Sequence, residues 1–268
     1  MKPPVALTVA GSDSSGGAGI AADLHTFAAH GVWGACAVTA VTAQNTVSVG
    51  HVEVMGASLV TAQIGAVAAD IGVAATKVGM LGGEVVVHAV AAAVEEWRLH
   101  PLVVDPVAVA STGRVLLSPG GRAALRQVLL PLADLVTPNL SEAAILAGWP
   151  DPPSDEDGME RVAEAVLALG PGAVLVTGGH LRAPDSPDLL LRRNGGGPEW
   201  FRGPRLEVRH THGTGCVLSA AITARLARGE NLVQAVEGAK AFVTAAIAAG
   251  VELGAGPGAV SPSGPCPP

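Results

Sequence analysis

The sequence predicts an α/β fold in which a mainly parallel central sheet is covered by helices on both faces. Short apolar runs of strand length alternate with helix-periodic segments of about 10 to 15 residues, a pattern typical of βαβ units. The chain has 268 residues, of which 49% are hydrophobic and only 3% aromatic, so small apolar side chains supply the core. No linker divides the chain, and we expect one domain over residues 1–250. Residues 251–268 are rich in Pro and Gly and are expected to form a disordered tail.

Strands are predicted where a short apolar run stops at glycine or polar residues, and helices where apolar residues recur with a period of about 3.6. In the first half, these signals place strands at residues 5–10, 34–41, 47–54, 76–79 and 102–104, and helices at residues 20–30, 58–70 and 84–97. The segment 47–54 alternates polar and apolar residues, so it is expected to be an edge or lid strand.

In the second half, the same signals place strands at residues 135–136 and 173–176, helices at residues 140–147 and 161–169, and two long helices after residue 213. The first of these long helices is indicated by the apolar period from Val217 to Leu226. Residues 151–158 and 182–198 are rich in Pro, Asp and Gly, and they are expected to be surface excursions.

The composition argues against several classes of protein. The most apolar windows, residues 27–43 and 235–251, are interrupted by polar side chains and fall short of the roughly 20 apolar residues that a bilayer span needs. No secretory leader is expected at the N-terminus. Three cysteines without CxxC spacing argue against a disulfide framework or a zinc site, and for a reducing cytoplasm. The net charge of −7 and the lack of a basic cluster argue against a nucleic-acid partner.

Polar or glycine-rich loops follow most of the predicted strands. They lie at residues 11–19, 44–45, 105, 139, 177–179 and 213–216. In an open parallel sheet the carboxyl ends of the strands share one rim, and ligands bind there. The sequence therefore predicts a ligand site at this rim, because an ordinary structural α/β subunit would not explain these loops.

The most informative loop is the turn at residues 211–216, THGTGC, which opens directly into a helix. Backbone amides at the positive end of a helix can hold an anion such as phosphate. Cys216 lies in the first turn of that helix, so its pKa is expected to fall from about 8.5 toward neutrality. The turn predicts phosphate chemistry beside a proton acceptor, and a glycine-started helix with a buried structural cysteine is the alternative.

Two common nucleotide-binding motifs are missing. The loop at residues 11–19 reads GSDSSGGAG, which lacks the G-x-G-x-x-G spacing of dinucleotide-binding folds. The lysines of the chain are Lys2, Lys77 and Lys240, and none follows a glycine loop, which excludes a Walker-type ATPase.

Several motifs occur together in order: the 11–19 loop, Gln44-Asn45-Thr46, Asp105-Pro106-Val107, Asn139-x-x-Glu142 and Gly213-Thr214-Gly215-Cys216. With these motifs the chain resembles, over residues 5–250, the hydroxymethylpyrimidine/phosphomethylpyrimidine kinases. The resemblance implies a ribokinase-like three-layer sandwich, with ATP and Mg²⁺ as cofactors. It also implies phosphorylation of 4-amino-5-hydroxymethyl-2-methylpyrimidine, and then of its monophosphate, in thiamine biosynthesis.

The resemblance assigns the catalytic and metal-binding residues. The amides of residues 213–215 would form an anion hole for the transferred phosphoryl group. Cys216 stands where related sugar kinases have an Asp that serves as the base. Asp105 and Glu142 are expected to hold Mg²⁺ near the phosphates. Alternatively, Asp105 only ends a strand and Glu142 only favours the helix dipole.

The substrate ring is expected on the other side of the rim. The residues assigned to it are Gln44, Asp23, Gly11, Gly17, Met80 and Val107. The Gln44 amide can pair with an aminopyrimidine, the two glycines let the backbone approach the ring, and Asp23 would hold its amino or hydroxymethyl group. Met80 and Val107 would be apolar walls. Plain core positions are the alternative for these two residues, and a turn cap is the alternative for Gln44.

The residues expected to contact ATP are Asn139, Glu142, Thr177, Gly179 and His212. Asn139 could instead be only a helix N-cap. Thr177 replaces the Lys of a K-G-G-H segment that these kinases commonly carry, and Ala108 stands where a Met often occurs. Either Mg²⁺ or His212 would then supply the missing cation near the phosphates, or the second phosphorylation would be slower.

Two alternative functions stay open at this point. A pyridoxal/pyridoxine kinase of the same superfamily acts on a similar flat ring with a hydroxymethyl arm. A non-catalytic pyrimidine-binding sensor would keep the fold without turnover. The exposed strand at residues 47–54 could pair between subunits, so a homodimer is expected, with no membrane or nucleic-acid partner.

Overall fold

The computed structural model describes residues 2–110, 113–181 and 183–262. Within these ranges the strands are β1 (Val5–Gly11), β2 (Trp33–Gln44), β3 (Val49–Val54), β4 (Ala75–Val78), β5 (Leu102–Val104), β6 (Leu135–Val136), β7 (Ala173–Thr177), β8 (Asp188–Arg192) and β9 (Glu199–Phe201). The α-helices are α1 (Gly19–Ala29), α2 (Ala57–Asp70), α3 (Glu84–Trp97), α4 (Pro119–Ala124), α5 (Leu140–Ala147), α6 (Glu156–Leu167), α7 (Thr214–Ala227) and α8 (Leu232–Ala248). A π-helical turn at Leu125–Leu129 and a 3₁₀ turn at Leu130–Leu132 extend α4, in a region where the sequence predicted no element.

The described strands form one sheet in the order β3-β2-β1-β4-β5-β6-β7-β8-β9. Six neighbouring strands of the sheet run parallel to each other, namely β2, β1, β4, β5, β6 and β7. Strands β3, β8 and β9 are antiparallel additions at the two edges. The chain passes from β1 to β2 on one side and later enters β4 on the other side of β1, so the strand order reverses there. In such sheets a crevice opens at the carboxyl ends of the strands where the order reverses.

Helices cover both faces of the sheet, as the alternating pattern predicted. Helices α2 to α6 pack on one face, over a cluster that includes Leu7 and Val104. Helices α1, α7 and α8 pack on the other face, where Val103 and Ile222 are fully buried. Strand β1 is buried along its whole length, because a central parallel strand has helices on both sides. No described helix is long and apolar enough to cross a membrane.

The segment 182–198 differs from the expected surface excursion, because it contains β8. Leu189 and Leu190 of this strand are fully buried beside β7. Its apolar run is short and lies among Pro, Asp and Gly, so antiparallel pairing with β7, and not local pattern, decides the strand. Helix α6 also begins earlier than predicted, at Glu156, because the Asp155 side chain caps it by accepting the Gly158 amide at 2.7 Å.

The expectation of a disordered tail from residue 251 was wrong for residues 251–262. The Val251 amide donates to Ala259 O at 2.9 Å, and the Val260 amide donates to His212 O at 3.1 Å. The Gly256 amide donates to the Thr46 hydroxyl at 3.2 Å. Backbone pairing with distant loops therefore orders a segment whose composition is typical of a linker. Residues 263–268 lie outside the described residues.

Candidate active site

Two glycine-containing loops face each other at the carboxyl end of the sheet. Gly213 precedes α7 with a φ of 86°, a left-handed conformation that favours glycine. A Cβ at Gly213 would overlap the carbonyl oxygen of Gly17, and a Cβ at Gly17 would lie 2.6 Å from Cδ2 of His212. The fold therefore packs the 11–19 loop directly against the 211–216 turn, as the shared rim predicted.

A buried hydrogen bond joins these two loops. His212 Nε2 lies 2.7 Å from Asp13 Oδ2, and Asp13 Oδ1 accepts hydrogen bonds from the amide and hydroxyl of Ser15. Burial by itself would raise the pKa of Asp13, but hydrogen bonds from His212 and Ser15 hold this pKa below its ordinary value. His212 was expected beside ATP. The structure instead turns its ring toward the substrate-side loop, because Asp13 provides a buried acceptor there.

Asp105 and Glu142 form the acidic part of the site. Asp105 follows β5 and accepts a hydrogen bond at 3.1 Å from Ser219, which lies in α7. Its Oδ2 lies 4.0 Å from the position that a Cβ of Gly215 would take, so the carboxyl group reaches the glycine turn. Burial, and then the charge of Asp105, raise the pKa of Glu142 to about 8, and burial also raises the pKa of Asp105. The two carboxyl groups therefore interact, next to the N-terminus of α7.

The surroundings of this carboxyl pair fit a magnesium ion. Among the described residues there is no group of three or more His, Cys, Asp or Glu that could hold a metal ion. Mg²⁺ does not need such a group, because it is usually bound through one or two carboxylates and several waters. Thr137 ends β6, beside β5, and its hydroxyl oxygen is buried without a hydrogen-bond partner. A buried hydroxyl of this kind beside two carboxyl groups suits a hydrated cation.

Asp23 does not lie where the resemblance placed it. The Lys77 ammonium pairs with Asp23 Oδ1 at 2.6 Å, the Thr8 hydroxyl donates to Oδ2 at 2.6 Å, and both charged side chains are fully buried. A group with both oxygens occupied and no exposed surface cannot hold a substrate amine, so this assignment was wrong. The sequence did contain a signal for the pair, since a lysine inside the predicted strand 76–79 requires a buried partner.

Cys216 lies in the first turn of α7 as predicted, but its acidity is the opposite of the expectation. Burial raises the pKa of Cys216 to about 12, and the charges of Asp105 and Asp23 act in the same direction. The charge of Lys77 and a hydrogen bond from the Gly19 amide oppose this change without reversing it. The group is therefore a thiol at neutral pH, because its loss of hydration outweighs the attraction of Lys77 and the Gly19 amide.

Apart from His212, the residues expected at ATP lie at or after the ends of β6 and β7. Asn139 is the N-cap of α5, and it forms a reciprocal capping box with Glu142, at 2.9 and 3.0 Å. Asn139 therefore caps α5, and its contact with ATP stays a prediction. Thr177 ends β7, its amide donates to Pro138 O at 3.0 Å, and it forms a β-bridge with Asn139. Gly179 follows and is exposed.

Three residues expected at the substrate ring meet at the 11–19 loop. A Cβ at Gly11 would lie 3.0 Å from Met80 Sδ, so this close approach favours glycine. The Gln44 backbone exchanges two hydrogen bonds with the Ser14 hydroxyl, at 2.7 and 2.8 Å, which ties the end of β2 to the loop. Val107 lies two residues after Asp105 and is half-buried.

Sequence reasoning missed Asp13 and Ser219 as well as Lys77. Asp13 lies in the predicted glycine-rich loop, but its partner His212 is 199 residues away, so no local pattern could find the pair. Ser219 was hidden in the apolar run of α7, and only the packing of that helix on β5 reveals its contact with Asp105.

Known proteins resemble this chain over nearly all of its length. The family whose model matches it is phosphomethylpyrimidine kinase, over residues 13–261. The hydroxymethylpyrimidine/phosphomethylpyrimidine kinase of Rhizobium meliloti is 49% identical over 260 residues, which cover 96% of each chain. Among solved structures, Bacillus subtilis pyridoxal kinase, an ADP complex, is 37% identical with a TM-score of 0.90 and covers 98% of each chain. The phosphomethylpyrimidine kinase of Clostridium difficile is 39% identical with a TM-score of 0.79, covering 91% of this chain and 98% of that chain.

These similarities confirm the ribokinase-like three-layer fold that the motifs implied. The match to the family extends to residue 261, so it includes the ordered segment 251–261 that the motif comparison had left out. Because the family model and the relatives match nearly the whole chain, it belongs to the phosphomethylpyrimidine kinase family.

Proposed function

We propose that this chain is a kinase of thiamine biosynthesis that transfers a phosphoryl group from ATP to 4-amino-5-hydroxymethyl-2-methylpyrimidine and then to its monophosphate. The observation that carries this proposal is the contact between the glycine turn before α7 and Asp105 at the end of β5. It places an anion-binding helix terminus beside a carboxyl pair that suits Mg²⁺. Phosphoryl transfer requires these two features above all, because it depends mainly on positioning and on charge stabilisation.

The turn at residues 213–216 supplies the positive side of the proposed site. The first amides of a helix lack intrahelical acceptors and lie at the positive end of its dipole. The Thr214 amide donates to Thr211 O at 3.3 Å. We therefore assign the anion hole to the amides of Gly213 and Gly215, and not equally to all three residues that the resemblance suggested.

Asp105 and Glu142, with the Thr137 hydroxyl, are the residues that would hold Mg²⁺. When bound, the ion would neutralise negative charge on the phosphates of ATP. The carboxyl groups must be ionised to hold it, and burial opposes that ionisation in the free chain. Ser219 donates to Asp105 and Asn139 donates to Glu142, so both carboxyl groups are oriented before a ligand arrives.

The sulfur of Cys216 is proposed to contact the acceptor hydroxyl. Its pKa argues against the role of a ready base at neutral pH, which the resemblance had suggested. The Gly19 amide donates to this sulfur, so the thiol lies at the boundary between α7 and the 11–19 loop. Gly11 and Gln44 are tied to that loop, and we place the pyrimidine ring there. The thiol would thus orient the hydroxymethyl group of the substrate toward the anion hole.

A second candidate function is pyridoxal phosphorylation, because the Bacillus subtilis pyridoxal kinase superposes with a TM-score of 0.90. A coupled assay of ADP release, offering the pyrimidine alcohol, its monophosphate and pyridoxal in parallel, distinguishes the two. We expect kcat/KM for the pyrimidine to exceed that for pyridoxal by about tenfold or more, since the matching family model and the curated relatives are those of pyrimidine kinases. Cys216→Ala should lower turnover strongly, and Cys36→Ala, which changes a cysteine of β2, should not.

The reverse order of the two kcat/KM values would assign the chain as a pyridoxal kinase. Binding of the pyrimidine without ADP release would support the non-catalytic sensor. The family match argues against the first result, and the carboxyl pair beside the glycine turn argues against the second.

We also propose a homodimer that pairs through β3, and a cytoplasmic location. Strand β3 is the edge of the sheet, and Val41 and Val54 on β2 and β3 are exposed there. Cys36 and Cys216 are free thiols, which fits a reducing compartment. Light scattering after size exclusion, with Val54→Lys as the variant, tests the dimer, and a monomeric wild type would exclude it.

A further inference from the structure

Buried charges hold the turn that follows β7. The Gly178 amide donates to Asp188 Oδ1 at 3.0 Å, and Lys240 of α8 pairs with Asp188 Oδ2 at 2.6 Å. The side chains of Lys240 and Asp188 are only 9% and 7% exposed. Asp188 lies in β8 and Lys240 in α8, so the packing of α8 on β8 encloses the pair. The pair in turn fixes the direction of the Gly178 amide.

Arg205 holds the outer part of the same loop. Its guanidinium donates to four backbone carbonyls, those of Gly179 at 2.8 Å, Leu181 at 2.7 Å, Ala183 at 2.9 Å and Asp185 at 2.9 Å. Carbonyl dipoles that converge in this way repel each other unless a cation lies between them. A guanidinium is suited to this position, because it has five donors in a rigid planar fork.

The loop that Arg205 holds is continuous with the ATP side of the proposed site. Thr177 forms a bridge with Asn139, and Asn139 shares a capping box with Glu142. Arg205 contacts the Gly179 carbonyl directly, so a shift of the loop would move Gly179 relative to Thr177 and the carboxyl pair. On the outer side, the Ser186 amide donates to Gly203 O at 2.9 Å, so the segment that carries Arg205 is itself paired with the loop.

We propose that Arg205 is a positioning residue for nucleotide binding. It acts through the backbone carbonyls of residues 179, 181, 183 and 185 and keeps Gly179 beside Thr177, in the arrangement that ATP is proposed to contact. The inference rests on the proposed use of ATP. Its physical basis is preorganisation: a loop that is already ordered loses less conformational freedom when the nucleotide binds.

Arg205→Lys tests the proposal, because lysine keeps the charge and loses the fork. We expect KM for ATP and Kd for Mg-ADP to rise by about tenfold, with kcat and KM for the pyrimidine changed by less than about twofold. Hydrogen exchange at the Leu181 and Ala183 amides should become faster in the variant and slow again when Mg-ADP is added. A purely structural role would lower all kinetic parameters together with the thermal midpoint.

Arg193→Lys is the matched control. Arg193 also donates its guanidinium to backbone carbonyls, those of Pro171 and Leu167, but it lies at the opposite end of β7 and β8. Its substitution should leave KM for ATP unchanged. Arg205→Lys with an unchanged affinity for Mg-ADP, or with equal losses toward ATP and pyrimidine, would overturn the inference.

A second measurement needs no variant. In the wild type, the hydrogen-bonded amides of Leu181 and Ala183 should already be protected from exchange before Mg-ADP is added, and strong protection that appears only with Mg-ADP would contradict preorganisation by Arg205. If the wild type binds Mg-ADP but does not phosphorylate the pyrimidine, the proposed substrate is wrong. The ratio of the Kd values of Arg205→Lys and wild type for Mg-ADP still decides this inference. A wild type that binds no Mg-ADP would overturn both.

Discussion

Glu142→Gln is expected to remove a pH dependence of stability that the wild-type chain carries between about pH 5 and pH 8. Glu142 is 9% exposed, and burial followed by the charge of Asp105 raises its pKa from the ordinary 4.5 to about 8. The folded chain therefore keeps this proton over a pH range in which the unfolded chain releases it. The stability that the group contributes is present in full below pH 4.5 and is lost as the pH rises through about 8.

The size of this effect follows from the difference in pKa. One pKa unit corresponds to about 1.4 kcal/mol, so the raised pKa of Glu142 sets an upper limit of about 5 kcal/mol over this range. Asp105 interacts with the same proton, and we therefore expect a change in unfolding free energy of about 2 kcal/mol. Gln preserves the helix cap, since its side-chain oxygen can still accept the Asn139 amide.

Urea unfolding in EDTA at about pH 5.5 and about pH 8 measures the effect. The control is Glu164→Gln, which makes the same substitution at an exposed position of α6. Wild type and Glu164→Gln should both lose stability relative to Glu142→Gln as the pH rises. Added Mg²⁺ should restore wild-type stability at the higher pH, because it binds the ionised carboxylates. Parallel pH profiles for wild type and Glu142→Gln would refute the reasoning.

Three further outcomes are expected. Lys77→Met leaves the Asp23 carboxyl group buried without its cation and should lower the unfolding free energy by about 3 to 5 kcal/mol; a loss below about 1 kcal/mol in urea unfolding would contradict the buried pair. In a variant whose other two cysteines are serines, iodoacetamide should alkylate Cys216 at a rate that still rises above about pH 9, because the thiolate is the reactive form. An alkylation rate that levels off near neutral pH would show that the pKa of Cys216 is lowered instead. Gly213→Ala should lower the unfolding free energy by about 1 to 3 kcal/mol and abolish turnover, since the new Cβ would overlap backbone atoms. The control is Gly229→Ala, which has the same φ of 86° but open space around it and should keep its turnover.

Local sequence signals predicted most elements near the site. Helices α3 and α5 begin and end at the predicted residues, because apolar periodicity and end signals act over only a few positions. The six polar loops were placed after strands for the same reason, and the rule that parallel strands share a rim brought them together. The 11–19 loop and the 211–216 turn meet as this rule requires.

The sequence could not reveal features that depend on distant partners. Strand β8 exists because β7 lies beside it, and residues 251–262 are ordered because loops far along the chain accept their hydrogen bonds. The same holds for Arg205, because two of its four carbonyl partners, those of Ala183 and Asp185, lie in the segment 182–198 that was expected to be a surface excursion.

The sequence by itself determined the α/β architecture, the rim that carries the site and the family, because each follows from local periodicity and from motifs read in order. Only the tertiary structure decided the chemical state of the side chains. Asp23 is bound to Lys77, His212 is paired with Asp13, and Cys216 is a thiol. Burial and the positions of other charges set these states. Both are properties of the packed chain, since the paired residues are 54 and 199 positions apart.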